Sequence, residues 1–415
     1  MPLHDPTPTI QPPIPKRRGH FKRLLGPRGG YRRWLPEASL ALIVLILYAE
    51  TIGYGYCKWN DEELVILTWR EALNEAFYGL HVRPIWYFSY VITNSLGLSP
   101  HFDHVVNLIL FIASAFLAHR VARVFLPERK RAFLVALTWI LLPWNAYPAS
   151  WIAQRNDLLI YVLGFLAILA FYRDCHGLSF LYLTGAVFSK VTVAFVPLFF
   201  VFKALRRRSW AITVCFTGLF LSYALLAFHN YVKYFPDGGG VGQLALPARV
   251  AVYPLHWLEH VFLLIVPLPF FVSYLQGFIY ATGVVGLAVG CTLARRRQQA
   301  PGSRDLVAIA LLTSALSLVS SELRICGFES LFWIILLVRH AENRKRMLTA
   351  ISCALVLVAY VWGIQVTKPI FIAPENGTAG PRYFYPNGYY EVRKDAVLNL
   401  MRRGVQPGAG STSQR

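Results

Sequence analysis

Residues 35–64 read LPEASLALIVLILYAETIGYGYCKWNDEEL. The first part, near 36–54, is apolar and long enough to cross a bilayer, whose hydrocarbon core takes about 20 helical residues. Three acids, Asp61, Glu62 and Glu63, then stand side by side at the exit of that span. Only 21 of the 415 residues are acidic, so a run of three at a membrane boundary calls for a reason.

Outward from this stretch the pattern repeats. The chain is 56% hydrophobic, 15% aromatic and 15% charged, with a mean hydropathy of +0.45; soluble domains carry about a quarter charged residues. The net charge of +20 lies in short Lys/Arg clusters between apolar runs. That is where the positive-inside rule places them, so the charge points to membrane topology rather than to nucleic acid. The clusters fall in 1–35, PERKR (127–131), RDCHG (173–177), KALRRRS (203–209), RRRQQAPGSR (295–304) and RHAENRKR (339–346). Placing them inside gives about eleven spans with the C-terminus outside. The spans lie near 36–54, 103–125, 131–147, 155–173, 178–190, 191–205, 210–231, 272–294, 304–321, 327–339 and 347–365.

The expectation is therefore an all-α integral membrane protein. Residues 1–35, Pro-rich and basic without an apolar core, read as a disordered cytoplasmic tail with no cleavable signal. Residues 36–365 form the polytopic domain, and 366–415 a short extracytoplasmic segment in which Asn387-Gly388 between aromatic runs predicts a small hairpin. Two outer segments exceed ordinary loops. The first, 55–102, holds two candidate helices, one of them interfacial; the second, 232–271, joins a turn-rich FPDGGGVGQ to an interfacial or re-entrant apolar stretch. Six cysteines show no metal-ligand spacing. Four read as packing residues, and Cys57 with Cys326, both at outer ends, leave a disulfide open.

Ionisable groups in or beside membrane spans cost several kcal/mol unless paired or wet, so each is a candidate for function. Here they converge on the outer face: Asp61 and Glu62 at the first exit, Arg83, His101 and His104 in or beside the first outer segment, Arg155 and Asp157 opening the fourth span, Lys190 at the next outer turn, and Glu322 and Arg324 at a later one. The bland alternatives are a solvated helix end for the three acids and a structural pair for Arg155 and Asp157. Residues two apart do not face each other on a helix, which argues against that pair. Lys190 stands where positive-inside bias disfavours it and needs a counter-charge, which a lipid phosphate would supply. HWLEH (256–260) matches a zinc-protease pattern, but no third ligand is apparent, and interface anchoring is the simpler reading. No cofactor is identified, and a divalent metal stays open. The sequon Asn376-Gly377-Thr378 signifies little.

In chain order these residues resemble the GT-C glycosyltransferase superfamily. WNDEEL resembles its aspartate-containing first-loop motif. HVRPIWYFSYVITNSLGLSPHFDHVVNLI resembles the Arg-Pro…Gly…His…Asn stretch of the TMTC and O-mannosyltransferase-like branch, at Arg83, Pro84, Gly97, His104 and Asn107. SWIAQRNDLL resembles its Trp…Arg-x-Asp-Leu-Leu helix start, at Trp151, Arg155, Asp157 and Leu158; VFSKVTVAFVP matches at Lys190 and Pro197; SSELRI resembles its Glu-Arg motif with Leu323 intervening. The likeness covers most of 40–340. It departs in placing Asp61-Glu62 where paired aspartates are usual, and about fifty residues rather than a tetratricopeptide domain follow the last span. A bacterial pilin arabinosyltransferase is one type of member with such a layout.

The resemblance implies transfer of a sugar from a polyprenyl-phosphate carrier to a protein or glycan acceptor outside the cytoplasm, in a bacterial inner membrane. An acceptor hydroxyl must lose a proton as the new bond forms, which asks for a carboxylate base. A departing lipid phosphate asks for cations. The implied roles are Asp61 as base, with Glu62 as its backup or orienter; Lys190, Arg155 and Arg324 on the donor phosphate; and Arg83, His104 and Asp157 in support. Direct displacement would invert the anomeric centre. Two rivals stand beside this reading. A lipid-linked sugar flippase would place polar groups at mid-bilayer. An O-antigen-type polymerase or ligase would carry a large outer loop rich in Arg and His, as 232–271 is in part with Arg249, His256 and His260.

Overall fold

The computed structural model describes residues 34–53, 64, 68–77, 82–96, 100–142, 145–234, 303–314 and 327–340. The chain divides into Met1–Leu35 and Pro36–Arg415, and the helical bundle belongs to the second unit. Asp61, Glu62, Arg324, both half-cystine candidates Cys57 and Cys326, the 256–260 motif, the second outer segment beyond 234 and the C-terminal hairpin lie outside the described residues.

All regular structure among the described residues is helical. The helices are α1 (Leu35–Tyr48), continued by a 3-10 turn Ala49–Gly53, α2 (Trp69–Ala76), α3 (Pro84–Ser95), α4 (Pro100–Phe125), α5 (Arg129–Ile140), α6 (Ala146–Ser150), α7 (Arg155–Tyr172), α8 (His176–Val187), α9 (Val196–Arg206), α10 (Trp210–Tyr234), α11 (Ser303–Ser314) and α12 (Gly327–His340). Four stretches are long and apolar enough to cross a membrane: Leu35–Gly53, His101–Phe125, Ile152–Tyr172 and Trp210–Asn230. The Ile152–Tyr172 window is 72% buried within the protein and the Trp210–Asn230 window 22%. The first is thus a central helix, and the second turns Val214, Leu221, Leu225 and Phe228 outward, an apolar face suited to lipid.

Sequence chemistry sets the local boundaries. The expected 131–147 span is divided into α5 and α6, because Pro143 has no N–H to continue a helix. The expected spans 178–190 and 191–205 become α8 and α9, separated by a 3-10 turn Val191–Val193. Both helices of the first outer segment are present. α2 starts on a capping box in which the Thr68 N–H donates to Glu71 Oε2 (2.8 Å) and the Glu71 N–H to Thr68 Oγ1 (3.3 Å). The bonds from the Thr68 backbone and hydroxyl hold the Glu71 carboxyl below its ordinary range. Trp69, Leu73 and Phe77, four apart along α2, are all exposed while Ala72 and Ala76 are buried. An apolar stripe facing out beside a membrane domain is the expected signature of an interfacial helix. Cys175 and Cys215, expected to pack inside, are both exposed instead.

α7 packs against α8 and α4, α9 against α10, and α12 against α5 and α11. At the centre, Trp139 meets Phe111, Tyr161 and Phe165 at centroid distances of 5.9, 5.1 and 5.6 Å. Phe165 stacks on Phe328 at 5.0 Å, and that close approach uses Gly164. A Cβ at Gly164 would lie 2.6 Å from Phe328 Cε2 and 2.8 Å from Cζ, and the Phe328 ring is held by Phe332 as well. Gly164→Ala is therefore expected to destabilise the protein by about 1–3 kcal/mol. At Gly185 the added carbon meets only the Leu163 Cδ1 tip at 3.1 Å, so Gly185→Ala should have a smaller effect. Thermal unfolding of the two variants side by side checks this; equal melting temperatures would count against the packing described.

The two ends of the bundle differ in charge. At one end Glu37 lies near His119 and Arg129, Lys203 and Arg206 meet Asp305, Arg207 meets Asp174, and Arg339 reaches the Phe125 carbonyl. Phe125 against Tyr172, and Lys203 over the Tyr172 ring, join these groups into one region. The other end holds Arg83, Asp103, Arg155, Asp157 and Lys190. Along α4, Asp103 and Phe125 are about 33 Å apart at 1.5 Å per residue, close to the ~30 Å of a hydrocarbon core.

Candidate functional site

The site is built where α4 and α7 begin. The 3-10 turn Ile152–Gln154 and the residue before it are buried, so their backbone carbonyls need donors. Side chains of α3 and α4 supply them. Trp86 Nε1 donates to the Ala153 carbonyl at 3.1 Å, the Tyr90 hydroxyl donates to that of Ile152, and Asn107 Nδ2 reaches the carbonyls of Trp151 (3.3 Å) and Ile152 (3.4 Å). Trp86, Tyr90, Trp151, Ile152 and Ala153 form a small core of their own, and Leu64 belongs to it.

Arg155 opens α7 and is 1% exposed. Its Nη2 donates to the Asp103 carboxylate, its Nε to Asn107 Oδ1 at 3.0 Å, and its Nη1 to the Ser89 carbonyl at 3.2 Å. The guanidinium lies 4.3 Å from the Tyr90 ring centroid, a favourable cation–π arrangement when desolvated. Asp103 and Asn107 are four apart on α4 and so share a face, which lets one guanidinium meet both.

Lys190 precedes the Val191–Val193 turn in extended conformation, φ −161° and ψ 141°. Its Nζ donates to both oxygens of Asp157, at 2.7 and 2.6 Å, and the two residues are 5% and 1% exposed. The expectation that Lys190 lacks a counter-charge within the protein is thereby corrected: Asp157 supplies it. Arg155 and Asp157 do not pair with each other, as their spacing of two on one helix implies. Each turns to a partner on a different element. Two buried ion pairs result, and their desolvation is severe enough that such pairs add little net stability.

The remaining anticipated groups are near. Arg83 caps α3, donates its backbone N–H to the Ala76 carbonyl at 2.9 Å, and carries its guanidinium 5.4 Å from the Trp86 ring centroid. His104 is buried next to Asp103. His101 Nδ1 lies 2.7 Å from the Ile52 carbonyl, joining the start of α4 to the end of the first span. Leu64, three residues after Asp61 in the chain, has its carbonyl held by Asn94 Nδ2 at 2.7 Å.

No protein-family model, curated protein or solved structure matches the chain. The chemistry of the site therefore carries the functional reading. Sequence reasoning missed Asp103, Tyr90 and Ser89. For Asp103 a signal existed, an acid in the first turn of a long apolar helix at i, i+4 from Asn107. For Tyr90 and Ser89 none did, since a ring and a backbone carbonyl become partners only through tertiary approach.

Proposed function

We propose that the protein is an integral-membrane glycosyltransferase that moves a sugar from a polyprenyl-phosphate carrier to a protein or glycan acceptor, inverting the anomeric centre. The observation that carries this reading is the pair of buried ion pairs, Arg155–Asp103 and Lys190–Asp157, gathered at the end of the bundle away from the Lys/Arg clusters. Buried ions that stabilise little are retained for another reason, and a charged lipid substrate meeting the protein at membrane depth is such a reason. The order of GT-C-like motifs supports the same reading. By the positive-inside rule the basic end faces the cytoplasm, the site faces outward, and the full chain has about eleven spans.

In this mechanism Asp61, tethered three residues before the anchored Leu64, takes the acceptor proton, and Glu62 orients acceptor or carboxylate. The acceptor oxygen bonds to the anomeric carbon while the bond from that carbon to the phosphate oxygen breaks. Polyprenyl phosphate leaves with the electron pair. An ammonium has three N–H donors. Lys190 spends two on Asp157 and directs the third, in the bound state, at the phosphate, with Arg324 as a second cation. Arg155, committed to Asp103, Asn107 and Ser89, braces the first turn of α7, which carries Asp157. Arg83 and His104 line the approach.

The test is direct. The purified protein in nanodiscs should bind polyprenyl phosphate and release it from polyprenyl-phosphate sugars when an acceptor extract is present. Absence of both binding and release by the folded wild type would overturn the proposal.

A further inference from the structure

Among the described residues, two other than glycine have a positive φ: Asp174 at 59° and Arg208 at 55°. Each follows a helix that closes in the same way. The N–H groups of Asp174 and Cys175 donate to the Phe171 and Ala170 carbonyls at 3.1 and 3.0 Å, and those of Arg208 and Ser209 to the Leu205 and Ala204 carbonyls at 2.9 and 3.0 Å. That closure favours glycine at the left-handed position, and a side chain there costs stability. The two turns are also neighbours in space. Arg207 Nη1 donates to Asp174 Oδ1 at 2.8 Å, and the Arg207 guanidinium lies 5.5 Å from the Phe171 ring centroid. Phe200 packs on both Phe171 and Phe216, at centroid distances of 4.6 and 4.9 Å. The Asp174 side chain thus holds Arg207. Arg208 has no comparable role: it is exposed and its guanidinium meets no partner among the described residues, and the same is true of Arg173, which precedes Asp174 in the joined turn.

The surroundings define what these guanidinium groups would meet. Arg173, Lys203, Arg206, Arg207 and Arg208 stand against two acids, Asp174 and Asp305, so the surface attracts an anion. The helices leading away from it are apolar and open. Trp210, which begins α10 two residues after Arg208, is 70% exposed; Val214, one turn further on, is exposed too, as are Leu178 and Leu181 on α8. Phe180 against Phe216, at 5.8 Å, joins α8 to α10 here. A tryptophan at the end of an apolar helix marks the level of lipid headgroups. A soluble anion would use the cations but not the apolar face beside them. We propose that the α7–α8 and α9–α10 turns form a docking surface for anionic lipid. The unpaired forks of Arg173 and Arg208 take headgroup phosphate, and the acyl chains run along Trp210, Val214, Leu178 and Leu181. The Arg207–Asp174 bond holds the two turns together beneath the headgroup. This goes beyond the glycosyltransferase reading and does not depend on it; it needs only a bilayer around α10.

The test uses the full-length protein carrying the photo-crosslinking residue benzoylphenylalanine in place of Trp210, in nanodiscs of equal parts phosphatidylglycerol and phosphatidylcholine. Mass spectrometry of the crosslinked product identifies the lipid beside Arg208, whatever other basic clusters bind. We expect phosphatidylglycerol to be captured about threefold or more over phosphatidylcholine, and the ratio to fall to about one in Arg208→Gly combined with Arg173→Gln. Arg208→Gly alone should lower the ratio part of the way, and it decides by itself if the double variant fails to fold. Its melting temperature in phosphatidylcholine nanodiscs should hold or rise, because glycine adopts positive φ freely. An unchanged ratio in the folded variants would overturn the proposal, and so would equal capture of the two lipids before either arginine is changed. A lower melting temperature for Arg208→Gly without anionic lipid would overturn it by giving Arg208 a structural role. Loss of the enrichment on adding inorganic phosphate at constant ionic strength would overturn it by showing a site for a free anion.

Discussion

Lys190→Met lowers the stability of the protein by about 3–5 kcal/mol, the usual consequence of leaving one partner of a buried ion pair uncompensated. The partner left behind is Asp157, 1% exposed and bonded through both oxygens to the lost ammonium. The methionine keeps the aliphatic stem, so packing changes little, and the loss is electrostatic. Adding Asp157→Leu removes the stranded carboxylate and should restore most of the stability, because an apolar pair of similar volume is often as good as the ion pair it replaces. Function should not return with stability. The double variant still lacks the ammonium and should bind polyprenyl phosphate as weakly as the single one. Chemical unfolding and lipid binding on the four members of the cycle separate the two roles. Wild-type phosphate affinity in the folded double variant would show that Lys190 serves structure alone.

Asp61→Asn should fold and bind polyprenyl phosphate as the wild type does, yet lose transfer by two or more orders of magnitude, the upper part of what a general base contributes. The amide keeps the size and polarity of the carboxylate and removes its capacity to accept a proton. The leaving-group side, Lys190 with Asp157, is untouched, so donor affinity and turnover should separate cleanly. Single-turnover release of polyprenyl phosphate in the presence of acceptor measures this. Unimpaired release by Asp61→Asn would transfer the role of base to Glu62, whose own amide variant is the next measurement.

The sequence placed the long helices well because their signal is local. An apolar run of bilayer length between basic clusters needs no knowledge of its neighbours, and the expected 155–173 and 103–125 emerge as α7 and α4 within a few residues. Two helices were expected in the first outer segment, and the structure shows where they start: α2 on the Thr68–Glu71 box and α3 at Pro84. The division of 131–147 is written in the sequence as Pro143, which has no N–H to continue a helix. Exposure of Cys215 was not legible, since a thiol on an apolar helix reads the same whichever way the helix is turned; Cys175 stands just before α8, in the polar RDCHG segment that already marked it for the surface.

For the site, the sequence by itself placed Arg83, His104, Arg155, Asp157 and Lys190 at one end, without Asp103, and implied that Arg155 and Asp157 face different ways. It assigned Lys190 a partner outside the protein, because nothing local to SKVT offers a carboxylate. Only the tertiary structure decided the pairing. Asp157 is 33 residues before Lys190 and Asp103 is 52 before Arg155, and each contact exists because α4, α7 and the Val191–Val193 turn are packed at one end of the bundle. Side-chain charge is written residue by residue, but a counter-charge is a property of space. In a low-dielectric interior the few ångströms between Nζ and Oδ, set by helix packing, determine which ion is neutralised and by which partner.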